Sequence, residues 1–250
     1  MKNNITIHIS YSIVILLFLS TLKINAQGFG FGCLGLSGVY GGYSYQDYKA
    51  DGLNSYISSI AANANQNKQT FKRAEGIRVG ANIFRAKFSN YFLTVKGFYQ
   101  FLKETKTVDV ATSVPSGNEQ FELKLDYWGF GADFGFSVFN FLDWKLLEGG
   151  VTFYNINLKN SYTPVGSAIV ENKYSEPKAT ISYYAASGII LHLVKDYISI
   201  EGTAIYNFIK IPSLKKDSGS GPNSIPNNNL NLIERGGLSV SVQLNLGFPL

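Results

Sequence analysis

The stretch Leu238-Ser239-Val240-Ser241-Val242-Gln243-Leu244-Asn245-Leu246-Gly247-Phe248 alternates apolar with polar or small residues without a break. Side chains on a strand point to opposite faces with period two, so this segment has one greasy face and one wet face. Such a strand fits a half-buried soluble sheet or a membrane barrel, and the rest of the chain decides between them.

Seven further segments carry the same rhythm. The expected strands are Leu34–Tyr45, Ala74–Arg85, Tyr91–Lys106, Gln120–Phe139, Trp144–Lys159, Ala179–Val194, Tyr197–Ile211 and Ile233–Phe248. The connections Ala86–Asn90, Asn140–Asp143 and Lys195–Asp196 are tight. Gln46–Arg73, Thr107–Glu119, Asn160–Lys178 and Pro212–Leu232 are long, polar and rich in Asn, Ser, Gly and Lys. Alternating short turns and long loops match the periplasmic and external ends of an outer-membrane barrel. An even strand count puts both termini on the periplasmic side. Closure leaves no unpaired edge in the bilayer.

The start of the chain agrees. Lys2, the apolar run Ile13–Leu19 and Ile24-Asn25-Ala26 before Gln27 form a secretory signal cleaved after Ala26. The run falls short of the ~20 residues a spanning helix needs, so a permanent anchor is the poorer reading. The domain plan is a signal peptide at 1–26 and a barrel over 27–250. Cys33 does not make a lipoprotein, because Gly30-Phe31-Gly32 is not the approach that lipid attachment uses. A single cysteine also forms no internal disulfide or zinc cluster, and a small thiol in the first strand is expected.

Composition supports the same reading. The 16 Tyr and 18 Phe suit interface girdles, and 25 Gly against 7 Pro suit bending, closely packed strands. Removing residues 1–26 takes Lys2 and Lys23 and no acid from the 22 basic and 17 acidic side chains, leaving a net charge of +3. That is too mild for a nucleic-acid partner. The expected partners are outer-membrane lipid and a protein met at the external loops, with the oligomeric state left open.

Face assignment follows the alternation. Ile181, Tyr183, Ala185, Ile189, Leu191 and Leu193 oppose Ser182, Ala186, Gly188 and His192. Ile198, Ile200, Ala204, Tyr206 and Phe208 oppose Ser199, Glu201, Thr203 and Asn207. In the fourth strand Trp128, Phe130, Phe134, Phe136 and Val138 oppose Gly129, Gly131, Asp133, Gly135 and Ser137. Its first half has the opposite phase, Phe121, Leu123, Leu125 and Tyr127 alternating with Glu122, Lys124 and Asp126. Either a bulge near Tyr127 or a strand emerging above the membrane explains the switch.

This register puts Arg78, Lys96, Asp133, Glu148 and Glu201 on the inner face, since charges facing lipid are costly. Two bases against three acids make a near-balanced network. It reads as a polar plug that fixes the register in preference to a gate or ion path, because an eight-stranded barrel is filled by its own side chains. In the first loop Leu53, Tyr56, Ile57 and Ile60 stand at helical spacing. A short amphipathic helix there could cap the mouth, meet a partner or pack on the loop rim. Ser213–Asn231, with Lys215-Lys216 and Asn227-Asn228-Asn229, reads as flexible and solvated, without a calcium-loop spacing.

The export signal, the eight strands, Gly35, Gly38, Gly41 and Gly42 in the first strand, and the ending Leu246-Gly247-Phe248 resemble the small outer-membrane barrels of the OmpA-like and OmpX-like superfamily. Asn25-Ala26-Gln27 is similar to the signal ends of Bacteroidota outer-membrane proteins. The resemblance covers the mature chain, is architectural, and implies an eight-stranded up-and-down transmembrane barrel. It departs from the pattern in Pro249-Leu250, which follow the final aromatic, and it implies no periplasmic peptidoglycan-binding domain.

Some small barrels act on lipids with a histidine and a serine. The mature chain has one histidine, His192, and its place beside Lys195–Asp196 is the periplasmic end, away from outer-leaflet lipid. No Gly-x-Ser-x-Gly elbow, phosphate loop or metal-spaced set occurs, so no catalytic, cofactor or metal site is expected. The expected function is that of a non-catalytic structural, surface-interaction or accessory barrel. The alternatives are a narrow channel or hydrophobic-ligand transporter, and a soluble lipocalin-like barrel with its faces inverted.

Overall fold

The computed structural model describes residues 37–60, 70–110, 117–164, 166, 168–226 and 229–247. The expected signal peptide, Cys33 and the start of the expected first strand lie outside them. Among the described residues there are twelve strands: β1 (Gly38–Lys49), β2 (Arg73–Lys87), β3 (Tyr91–Gln100), β4 (Lys103–Val110), β5 (Gly117–Phe139), β6 (Leu142–Pro164), β7 (Val170–Ser175), β8 (Thr180–Val194), β9 (Ile198–Asn207), β10 (Leu214–Ser218), β11 (Ser224–Ile225) and β12 (Arg235–Gly247). One helix, α1 (Asp51–Ile60), follows β1.

Eight of these strands close a ring. Each pairs antiparallel with the next in the order β1-β2-β3-β5-β6-β8-β9-β12, and β12 returns to β1 from Gly38↔Gly247 to Lys49↔Arg235. The turns at one end are short, and in the turn before β9 Asp196 takes φ 65°, a conformation a short acidic side chain tolerates. β4 continues β3 after an interruption at Phe101-Leu102, both pairing with β5 in one register, so the expected Tyr91–Lys106 strand is broken there. Leu102 N–H instead donates to the Asp126 carboxylate at 3.2 Å.

At the other end β4, β5, β6, β7, β10 and β11 form a wall above the ring. From Trp128 to Gly117, β5 rises roughly 36 Å along its length at about 3.3 Å per residue. Where they are described, the expected loops Thr107–Glu119 and Asn160–Lys178 are therefore largely sheet, and Pro212–Leu232 carries the short strands β10 and β11. The solvated reading of Ser213–Asn231 is corrected by Leu214 and Ile225, which pair across β10–β11 and are wholly buried. Two apolar anchors suffice to fold a polar stretch when a wall stands beside it to pack against.

The phase switch in β5 is no bulge. Its ladder with β3 and β6 runs through Tyr127 without a register shift. Phe121, Leu123, Leu125, Tyr127, Gly129, Asp133 and Gly135 all face inward and are buried. Trp128, Phe130 and Phe136 face outward and are exposed below the switch, and Lys124 is exposed above it. What changes is the medium. β6 does the same: Thr152 and Glu148 are buried below, Tyr154, Ile156 and Leu158 above, while outward Phe153 gives way to Asn155 and Asn157.

The molecule thus has two storeys. In the turn-end storey the inside is mostly polar, with Phe92, Phe98 and Ile190 among the charged and polar side chains, and the outside is apolar, with Ile77, Val79, Tyr183, Ile189, Leu193, Phe208, Leu238, Val242 and Leu244 all exposed. In the loop-end storey the inside is an apolar core and the outside is Thr, Asn, Lys and Glu. α1 belongs to that core. Its Leu53, Tyr56 and Ile57 are buried, Tyr56 meets Phe121 edge-on at 6.3 Å, and Gly52 lies so close to Asn231 that an added Cβ would sit 2.3 Å from its carbonyl oxygen. The helix neither caps a void nor rests on the rim; it fills the upper barrel.

The candidate site in the barrel interior

All five charges expected inside are buried there. Asp133 and Glu148 stand directly opposite one another on β5 and β6, an arrangement that costs energy unless a cation bridges it. Lys96 on β3 supplies the bridge, with Nζ at 2.5 Å from Asp133 Oδ2, 3.3 Å from Glu148 Oε2 and 3.8 Å from Glu201 Oε1. Arg78 on β2 stacks its guanidinium over Phe98 at 3.9 Å and stands 3.7 Å from Glu148 Oε1. Tyr184 OH donates to that oxygen at 2.9 Å. Gly131 permits the approach, since a Cβ there would lie 2.0 Å from the Tyr184 hydroxyl.

The member not expected from the sequence is Lys145. It is 1% exposed, and its ammonium donates to Glu148, to Glu201 and, at 2.9 Å, to Thr203 Oγ1. A register shift between Lys145 and Glu148 in the β6–β8 ladder places both side chains inside although they are three residues apart. The available signal was Leu146-Leu147, two adjacent outward apolar residues that interrupt the alternation, as a bulge does. With Lys145 the network becomes Arg78, Lys96 and Lys145 against Asp133, Glu148 and Glu201, three charges of each sign.

Neutral side chains complete the solvation of Glu201. Thr203 Oγ1 donates to Oε1 at 3.1 Å, while Gln243 and Asn245 donate to Oε2 at 3.1 and 3.2 Å. Strands β2, β3, β5, β6, β9 and β12 therefore all contribute to one cross-section of the lumen. Chemically, such a cluster holds charge in place: Glu148 and Glu201 are fixed by cations and hydrogen-bond donors, as buried charges require, and Asp133 is held by Lys96 through Oδ2 while its Oδ1 is unpartnered.

His192 lies nearer the short turns. Its Nε2 is 2.9 Å from Asp143 Oδ2, which Arg85 also meets at 3.3 Å. Arg85 in turn covers the Phe92 ring at 4.8 Å. Among the described residues no group of His, Cys, Asp and Glu has the makings of a metal site. Among the described residues no helix is long and apolar enough to cross a membrane.

Above the cluster, Glu104 organises the junction of the storeys. Its carboxylate accepts the Tyr48 hydroxyl at 2.6 Å and the Lys72 and Arg73 N–H groups at 3.1 and 2.8 Å. This ties the return from α1 to β4, which meets β2 only at Glu75↔Lys103.

No protein-family model matches the chain, and no curated protein is similar to it. Solved structures overlap it at low identity. Ail, the attachment invasion locus protein of Yersinia pestis, is 12% identical with a TM-score of 0.40, over 88% of this chain and 98% of that one. Neisserial surface protein A is 12% identical with a TM-score of 0.39, over 84% and 96%. The outer membrane protease OmpT of Escherichia coli is 9% identical with a TM-score of 0.42, over 85% and 94%. Overlaps this loose decide nothing about chemistry. The closed ring, its outward apolar band and its polar lumen carry the conclusion themselves: the chain is an eight-stranded, membrane-spanning antiparallel barrel of the outer-membrane type.

Proposed function

We propose that this chain is a closed, non-catalytic outer-membrane barrel that acts as a structural or surface-interaction protein through its loop-end storey. The observation that carries the reading is the filling of the lumen at two successive levels. The neutral six-residue cluster crosses the turn-end storey. The apolar core of the loop-end storey, α1 included, sits on top of it. A solute channel needs a continuous wet path, and a lipocalin-like carrier needs an apolar cavity with a polar exterior along its whole height. The rigid, strand-built wall is suited to presenting a fixed surface outside the cell.

Planar-bilayer recording of the refolded mature chain tests this. The expected result is bilayer insertion without discrete conductance steps. Reproducible single-channel steps would overturn the reading in favour of a narrow channel.

A further inference from the structure

The wall and the opposite side of the barrel treat their charges differently. On the wall the outward lysines of β4 to β7 that rise above the apolar band each have an acid beside them, and Lys215 of β10 stands higher, away from the band. Lys103 and Lys124 share Glu122, and Lys159 and Lys173 share Glu171. On the opposite side the sheet stops low: β9 ends at Asn207, β12 begins at Arg235 and β1 ends at Lys49. There Lys49 and Arg235 are direct register partners. The Ile211↔Ile233 bridge and the Gly236 N–H donating to Ile209 bring Lys210 alongside. All three are exposed. Lys210 and Arg235 have no ion-pair partner among the described residues.

Two of the acids nearby are paired, Asp51 with Lys49 at 2.6 Å and Asp47 with Arg73 at 2.6 Å, while Glu234 is turned to Asn231 at 2.8 Å and keeps its charge, leaving the shoulder with a net positive balance. Directly below this row the lipid-facing band begins with Tyr206, Phe208 and Leu238, all exposed. Two unpaired cations on a low shoulder, flush with the upper edge of an apolar band, stand at headgroup height. Phosphate is the headgroup chemistry that complements them.

We propose that this shoulder, formed by Lys210 and Arg235 beside Lys49, docks the phosphate-bearing headgroup of an anionic lipid in the loop-end leaflet. Acyl chains lie along Phe208 and Leu238, and the headgroup occupies the space that the missing wall leaves open on this side. The inference rests on the membrane-spanning reading.

The test is native mass spectrometry of the refolded mature chain in detergent micelles with bisphosphorylated lipid A as probe. Heat-modifiable gel migration of the same samples reports that the barrel is formed. The wild type is expected to retain one lipid. Lys210→Gln/Arg235→Gln should weaken retention about 25-fold, from roughly five-fold per basic residue at an anionic surface. Lys210→Arg/Arg235→Lys should keep retention, and so should the wall variant Lys103→Gln/Lys124→Gln. Equal retention by the Gln/Gln variant, equal retention of dephosphorylated lipid, or emptying of the site by millimolar inorganic phosphate would overturn the proposal. Loss of the gel shift in the wild type would overturn the membrane-spanning reading with it.

Discussion

Replacing Lys145 by Met removes the cation at the centre of the buried network and keeps an unbranched side chain in its place. Glu148 and Glu201 would then share a lumen with one excess negative charge. Breaking a buried pair by deleting one partner typically costs ~3–5 kcal/mol. Here Lys96 stays 3.3 Å from Glu148, and Thr203, Gln243 and Asn245 still donate to Glu201. The cost should therefore fall at the low end, about 3 kcal/mol. Glu201→Gln alone leaves one excess positive charge with Lys145 still on Glu148, for about 2 kcal/mol. The double variant Lys145→Met/Glu201→Gln is neutral again and should cost about 3 kcal/mol, well short of the sum, a coupling of roughly 2 kcal/mol. Urea unfolding of the barrel in lipid vesicles reads these values, with gel migration and the fluorescence of the outward Trp128 and Trp144 as probes. A Lys145→Met curve within ~0.5 kcal/mol of wild type, or strict additivity of the pair, would refute the charge-balance argument.

Three further outcomes are expected. Glu104→Leu leaves the Lys72 and Arg73 N–H groups and the Tyr48 hydroxyl without their acceptor; hydrogen exchange over residues 70–76 should accelerate, with a loss of about 2–3 kcal/mol. Leu53→Ala in α1 removes a wholly buried side chain and should lower stability by about 3 kcal/mol, seen as earlier proteolysis of the loop-end storey with the gel shift retained. Burial raises the carboxyl of Glu119 above its ordinary 4.5, against a smaller lowering by Asn160, and burial likewise raises Glu176. A raised acid binds its proton more tightly folded than unfolded, so its contribution is present below the ordinary value and is lost as pH rises through the folded one. The loop-end storey should thus gain stability on going from pH 7 to pH 4, and Glu119→Gln should flatten the Glu119 share. High salt in the assay suppresses the opposing effect of exposed Glu171, which Lys159 holds below its ordinary range.

Alternation made the ring legible, because one face of each strand meets a single medium over many residues. The outward sets around Ile181–Leu193 and Ile198–Phe208 could be written down from period two alone, and the structure places them as expected. Three features resisted. Lys145 was hidden because one extra residue at Leu146-Leu147 inverts the period for the three residues before it. The wall was hidden because its outer face is water, so Asn155, Asn157 and Lys159 look like loop residues while Tyr154, Ile156 and Leu158 pack inward. The low shoulder was hidden because Lys49, Lys210 and Arg235 come from three distant parts of the chain, and only the pairing of β1 with β12 brings them together.

The central claim is that β5 keeps one register while its surroundings change near Trp128. Single cysteines placed in turn at Glu122, Lys124, Asp126, Phe130, Ala132 and Phe134, in a chain with Cys33→Ser, test it directly when vesicle-inserted protein meets a membrane-impermeant maleimide. The account predicts rapid labelling at 122, 124 and 126 and protection at 130, 132 and 134, with detergent releasing the protection. Uniform labelling along all six positions would contradict a membrane boundary at this level.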